Sequence, residues 1–146
     1  MTDVGAIVVA VSISTGKGRK KTPVDSVDLK ENHGVVGDAH AGERQRQISL
    51  LAVESIEKIR RLGLAVDAGD FAENITTRGI DLPSVPLGAR IALGEAVIEV
   101  NQIGKECHDR CAIYHSAGDC VMPKEGIFAR VIRGGTVRPG DPLVVL

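Results

Sequence analysis

Seventeen glycines, spread along 146 residues, cut this chain into short apolar runs. Glycine is the residue that tight turns ask for, so the pattern predicts a mainly β fold with many reversals rather than a helical bundle. The length suits one hydrophobic core, which typically serves about 100–150 residues, and a single domain over 1–146 is expected. With two Phe, one Tyr and no Trp, that core has to be built from Val, Ile, Leu and Ala.

The runs can be read in order. Residues 5–14 are apolar and β-branched and predict a buried strand. A basic loop follows over 16–21, and Pro23, which has no N–H to donate, places the chain beyond it near a sheet edge. Residues 24–31 alternate as a short strand, 37–42 form a glycine-punctuated loop, and 46–50 predict another strand. One helix is clear, at about 51–62. Val53, Ile56, Ile59 and Leu62 recur on one face, with pairs Glu54–Lys58 and Glu57–Arg61 along it and Gly63 as its stop. Strands are expected over 71–77, 89–93 and 96–100, the last two as a hairpin around Gly94 and Glu95. A short helix is expected over 122–135, with Ile127 and Val131 facing inward and Arg130 and Arg133 free for anions. A closing strand is expected over 143–146.

The formal net charge of −1 asks for neither nucleic acid nor an anionic membrane. Scarce aromatics also remove the stacking platforms that bind single strands. No basic segment leads into a signal-type apolar run, and no run is long enough to span a bilayer, so a cytoplasmic protein is expected. In that reducing compartment, three cysteines read as thiols or ligands rather than as a disulfide framework.

Chemistry concentrates between Cys107 and Cys120. All three cysteines and two of the four histidines fall there. Three readings compete. In the first, one cysteine is a reactive thiolate, favoured by Lys105, His108 and Arg110. In the second, Cys107, Cys111, His115 and Cys120 bind zinc or another soft metal, the first three spaced to share a helical face. In the third, some of the thiols are small buried hydrophobes. Elsewhere, Lys17, Arg19, Lys20 and Lys21 among glycines suit an anion, although the P-loop ending is missing and a solvated loop is the plainer reading. The 37–42 loop presents Asp38 and His40 to a ligand, or uses Asp38 to cap a turn. Glu73 and Asn74 interrupt an apolar stretch and, if buried, need partners.

In order and spacing these segments resemble the MOSC family, named after the C-terminal domain of molybdenum cofactor sulfurase. The matching stretches are Lys21-Thr22-Pro23-Val24, Gly37-Asp38-Ala39-His40-Ala41-Gly42, Gln47-Ile48-Ser49-Leu50-Leu51, Phe71-Ala72-Glu73-Asn74-Ile75-Thr76-Thr77, Leu87-Gly88-Ala89-Arg90-Ile91, the Cys107 segment and Gly126-Ile127-Phe128-Ala129-Arg130-Val131. The resemblance covers nearly the whole chain. It implies a β-barrel-like fold with one clear helix and short peripheral helices, and a link to the molybdenum cofactor (molybdopterin). It singles out Cys107 as the family cysteine, carrying sulfur as a persulfide or ligating molybdenum, in a sulfur transferase or a molybdenum-dependent component. Lys17, Arg19, Lys21 and Arg130 would hold the anionic cofactor, and His40, Glu73 and Asn74 would line its pocket. Pyridoxal phosphate is not expected. The implied partners are cofactor-biosynthesis proteins or molybdoenzymes, and an oligomer fits as well as a monomer. The larger reductases of the family carry an extra N-terminal β-barrel domain and iron–sulfur or flavin modules that this chain lacks. Cys111 and Cys120 go beyond the family's single cysteine and keep an adaptor or zinc-binding module as the alternative.

Overall fold

The computed structural model describes residues 6–14, 16, 21–39, 41–42, 46–104 and 125–146. Eleven strands are described there, in chain order: β1 (Ile7–Ile13), β2 (Thr22–Val24), β3 (Val27–Lys30), β4 (Gly34–Val35), β5 (Ile48–Ala52), β6 (Ile75–Arg78), β7 (Arg90–Leu93), β8 (Ala96–Ile103), β9 (Ile127–Arg133), β10 (Gly135–Val137) and β11 (Leu143–Val145). Helix α1 (Val53–Arg60) joins β5 to β6, and a 3-10 turn at Leu82–Ser84 is a short peripheral helix. Eight strands form one sheet in the order β11-β7-β8-β9-β5-β6-β1-β2, and β10-β3-β4 form a second. The β5–β6 pair is parallel, which is why a helical crossover lies between them.

The large sheet wraps one core. Val8, Val11, Leu50, Ile75, Ile98 and Ile127 point to its inner side, where Val27, Leu29, Val35 and Val137 of the small sheet meet them. A second cluster lies on the outer side, where Ile56 and Ile59 of α1 pack on Leu51, Phe71 and Phe128. The central strands are therefore covered on both faces, and β5 is buried at all five positions. Burying each Leu or Ile there contributes about 1.5–3 kcal/mol.

The mainly β class and the single long helix are as expected, but the ladder does not close into a barrel among the described residues. Its edge strands, β2 and β11, do not pair with each other. Residues 140–143 do run beside the start of β1: the Val8 N–H donates to Asp141 O (2.9 Å) and the Gly140 N–H donates to Val8 O (2.7 Å). The residue facing Ile7 is Pro142, so the contact stays an isolated bridge. Proline offers no N–H with which to extend it.

Several elements match their sequence signals. Pro23 sits on the edge strand β2 opposite Ser12. Gly63, at φ +96°, follows the last turn of α1. Other readings need correction. Residues 127–133 are a strand, not a helix. Ile127 and Val131 are four apart, a spacing that a strand's period of two also satisfies, and Ala129 between them points the same way into the inner core. The 71–77 strand begins only at Ile75, because Ala72 takes a left-handed turn at φ +65°. Leu62 lies past the helix end and is 59% exposed. The expected Glu54–Lys58 pair gives way to other partners: Lys58 bonds Glu125 at 2.9 Å, and Glu54 accepts the Gly79 N–H at 3.0 Å.

Leu50 lies where β9, β5 and β6 meet. The Leu50→Ala variant should lose about 2–5 kcal/mol, seen as a lower urea midpoint with an unchanged slope.

Candidate functional site

Strand register builds a polar seam across the outer face of the large sheet. Gln102 of β8 faces Phe128 of β9, which faces Ser49 of β5. Parallel pairing sets Asn74 beside Ser49, and the Ser12 N–H donates to the Asn74 carbonyl at 2.8 Å. The Asn74 side chain stitches three strands together. Its Oδ1 accepts the Ser49 N–H at 3.1 Å, and its Nδ2 donates to Ser12 O at 3.2 Å. Asn74 is thus a buried bracing group with its partners in place.

Next to this seam lies a buried ion pair. Lys21 Nζ sits 2.7 Å and 3.0 Å from the two carboxylate oxygens of Asp38, with the two side chains 1% and 0% exposed. Asp38 Oδ1 also accepts the Ser14 N–H at 3.0 Å, and the Ala39 N–H donates to Ser14 O at 2.7 Å. The end of β1, the approach to β2 and the loop after β4 are locked at one point. Asp38 is therefore not presented to a ligand, and Lys21 belongs to the interior rather than to a solvated loop.

Gly69 links the pair to Glu73. The Lys21 N–H donates to Gly69 O at 2.8 Å. Gly69 has φ +90°, and a Cβ there would collide with the Lys21 carbonyl, so this position requires glycine. The Gly69 N–H donates to Glu73 Oε2 at 2.9 Å, and the Thr76 hydroxyl donates to the same oxygen at 2.8 Å. Glu73 is 0% exposed, and its other oxygen, Oε1, has no partner among the described residues; neither has the Ser12 hydroxyl. Burial pushes the Glu73 carboxyl above its ordinary value, and the Gly69 and Thr76 hydrogen bonds pull it back only in part.

Of the residues the sequence singled out, Lys21, Glu73 and Asn74 are gathered into this region. Arg130 is held elsewhere, with Nη2 3.0 Å from Glu99 Oε1, and Arg90 flanks the other oxygen of Glu99 at 3.4 Å. Lys17, Arg19, His40, Cys107, Cys111, His115 and Cys120 lie outside the described residues. No group of three or more metal-binding side chains occurs among the described residues. Sequence reasoning missed Ser12, Ser49, Gly69 and Thr76 as parts of the network. Their signal was a hydroxyl or a glycine in a stretch that otherwise reads as apolar. It also missed Arg46, which is exposed and lies 5.4 Å from the centre of the Phe128 ring.

A recess of about 360 Å³ opens at the carboxyl ends of β5 and β6, between the start of α1 and residues 79–83. Its polar groups satisfy one another. The Ser55 hydroxyl and the Lys58 ammonium both donate to Glu125, at 2.6 Å and 2.9 Å, and Glu54 accepts the Gly79 N–H at 3.0 Å.

Removing one member of a buried ion pair leaves the other charge uncompensated. Lys21→Met should therefore lose about 3–5 kcal/mol of unfolding free energy. Lys21→Met/Asp38→Asn, which removes both charges and keeps an acceptor for Ser14, should recover most of that. Denaturant melts of the two variants check this, and equal destabilisation would contradict it.

No helix among the described residues is long and apolar enough to cross a membrane. Comparison with curated proteins gives no match. Solved structures do match. The YuaD protein of Bacillus subtilis superposes with a TM-score of 0.80 at 22% identity, over 95% of this chain and 94% of that one. YiiM from Geobacillus stearothermophilus gives 0.71 at 26% identity, over 97% of this chain and 75% of that one. YiiM from Escherichia coli gives 0.66 at 24% identity, over 96% and 70%. The MOSC domain family matches residues 37–144, which takes in the Asp38 loop, the Asn74 brace, Cys107 and the central strands, and the chain belongs to that family.

Proposed function

We propose that this MOSC domain handles the molybdenum cofactor, with Cys107 as the working residue. The observation that carries this reading is the family match, which spans Cys107 together with Asp38, Glu73 and Asn74. MOSC domains are associated with proteins of molybdenum-cofactor metabolism. A cysteine thiolate suits either of two roles there: carrying sulfur as a persulfide, or ligating the soft metal.

The described residues bear on the fit. A phosphate-bearing pterin is anionic and polar. On the outer face of the large sheet, Arg46 supplies an exposed cation, and the Ser12 hydroxyl is a buried donor with no described partner. These two suit such a group. Lys21, Glu73 and Asn74 are enclosed and bonded within the protein, and in this reading they form the frame of the pocket rather than its lining. Lys17, Arg19 and His40 are proposed to supply its contacts. Arg130 has a weaker claim, because Glu99 holds it. When bound, the cofactor would supply the molybdenum centre or the site that accepts sulfur. The chain's own share is to orient the ligand and to present the Cys107 sulfur. As a persulfide, Cys107 would be attacked at its outer sulfur by a nucleophile of the acceptor: the S–S bond would break, the sulfane sulfur would pass to that nucleophile, and Cys107 would leave as its thiolate. The acceptor or donor would be a cytoplasmic cofactor-biosynthesis protein or a molybdoenzyme.

Protein purified under mild conditions should carry cyanide-labile sulfur on Cys107, seen by mass spectrometry as one added sulfur atom, or should hold pterin and molybdenum. The Cys107→Ser variant should lose whichever signal the wild type shows. Absence of all three from the wild type would overturn the proposal, and stoichiometric zinc in their place would favour a structural metal module.

A further inference from the structure

Among the described residues Glu73 has no counter-ion, and its hydrogen bonds lead to the residues at which the segments 15–20 and 39–46 begin or end. Its Oε2 holds the Gly69 N–H, the Gly69 carbonyl holds the Lys21 N–H, the Lys21 ammonium holds Asp38, and Asp38 holds the Ser14 N–H. Residues 15–20 run between Ser14 and Lys21, and His40 follows Asp38 by two positions. We propose that Glu73 is a positioning residue that acts as a proton-controlled latch: in its neutral form it fixes the Gly69 turn against Lys21 and so sets the bases of both loops, and on ionising it releases that turn.

Ionisation strengthens the hydrogen bonds that Oε2 accepts from Gly69 and Thr76, but the cost of enclosing the charge outweighs them, and that balance favours opening of the turn. The carboxyl is fully enclosed, and Oε1 has no donor among the described residues. A charge there has to be solvated, and the turn over 67–70, which touches the carboxyl through the Gly69 N–H, reaches the surface at the exposed Asp67. The described charged groups around Glu73 do not offset that charge. Strands β1 and β5 carry no charged side chain, and Arg78 lies at the far end of β6. Lys21 and Asp38 neutralise each other across the Gly69 contact. Asp67 is held by Arg60 of α1 at 2.8 Å, and Asp70 accepts the Asp67 N–H at 2.9 Å.

The sign follows from linkage. The closed form binds the proton more tightly than the open one. Opening is therefore independent of pH below the ordinary carboxyl value of 4.5, grows as pH rises above it, and levels off once the closed form has itself ionised. Within that window each pH unit should favour opening by roughly tenfold.

Native-state hydrogen exchange on the full chain, followed by NMR, tests this. After correction for intrinsic base catalysis, the Lys21 and Ser14 amides should lose protection at that rate in the wild type, while β8 amides do not. In Glu73→Gln, a neutral mimic, the Lys21 and Ser14 amides should show no such slope. An identical slope in both proteins, or a wild-type slope shared by β8, would overturn the latch. If Glu73→Gln does not fold, the wild-type Glu73 carboxyl can be titrated by ¹³C NMR. A midpoint shared with the two amides supports the latch, and a carboxyl that titrates without them overturns it. The bearing of the latch on cofactor handling rests on the function proposed above, but the exchange measurement needs no cofactor, so either can fail without the other.

Discussion

Burial on two faces of β5, and of the stretches of β6 and β9 that pair with it, is the constraint that shapes the rest of the molecule. A strand with one face in water can place polar side chains there at no cost. Here, both faces of β5 are occupied by packed residues, β6 is buried up to Arg78, and β9 is buried over Ile127–Ala129 before Arg130 turns outward. Any polar group in these strands has to find a partner inside the protein or lose about 1–3 kcal/mol. Asn74 and Ser49 meet that demand by bonding each other across the parallel pair, and Asn74 reaches on to β1. Gln47 meets it at the other end of β5, where its Oε1 accepts the Val131 N–H at 2.9 Å and its Nε2 donates to Asn32 at 3.0 Å. These amides and hydroxyls act as cross-links, and they fix the register of the strands from which the neighbouring loops depart.

The same demand explains why the ion pair is buried. Lys21 and Asp38 gain little as a stability device, since desolvating two charges offsets most of their attraction. Their geometry serves specificity instead. An ammonium has to meet a carboxylate at one place, so three separate stretches of backbone are brought there, and a slip of any of them would strand a charge. Glu73 follows a different logic. Among the described residues it satisfies one oxygen and leaves the other without a donor, and its enclosure favours the neutral acid.

Much of this fold was legible because local chemistry decided it. The apolar run of β1, the proline on an edge strand, the glycine stop of α1 and the Gly94 hairpin each follow from a short window of sequence. The misreadings share a cause. Ile127 and Val131 satisfy helical and strand spacing alike, and only the pairing of β9 between β8 and β5 settles the choice. Ala72 breaks a strand-like stretch with a left-handed turn that alanine does not advertise. The site was legible as a set of unusual residues but not as an arrangement. Nothing near Asp38 in sequence reveals that its partner is Lys21, because the pairing depends on how β1 and β2 pack. Glu73 could be suspected as buried, but that one of its oxygens meets no donor among the described residues is a property of the assembled turn.

A family resemblance carried by scattered short motifs makes physical sense in this light. The matching segments are not one contiguous site. They include the residues that cross-link the central strands, the glycine-rich loop that holds Asp38, and the stretch around Cys107. The function proposed above, one reactive sulfur presented to a large, charged ligand, would need loops launched from fixed points, because an error of about 1 Å in position is costly for chemistry. Strands buried on both faces, and braced by amides, provide such points while the loops between them vary in length and charge. Solved structures only 22–26% identical to this chain share its fold, as a frame set by strand burial rather than by particular loop sequences allows.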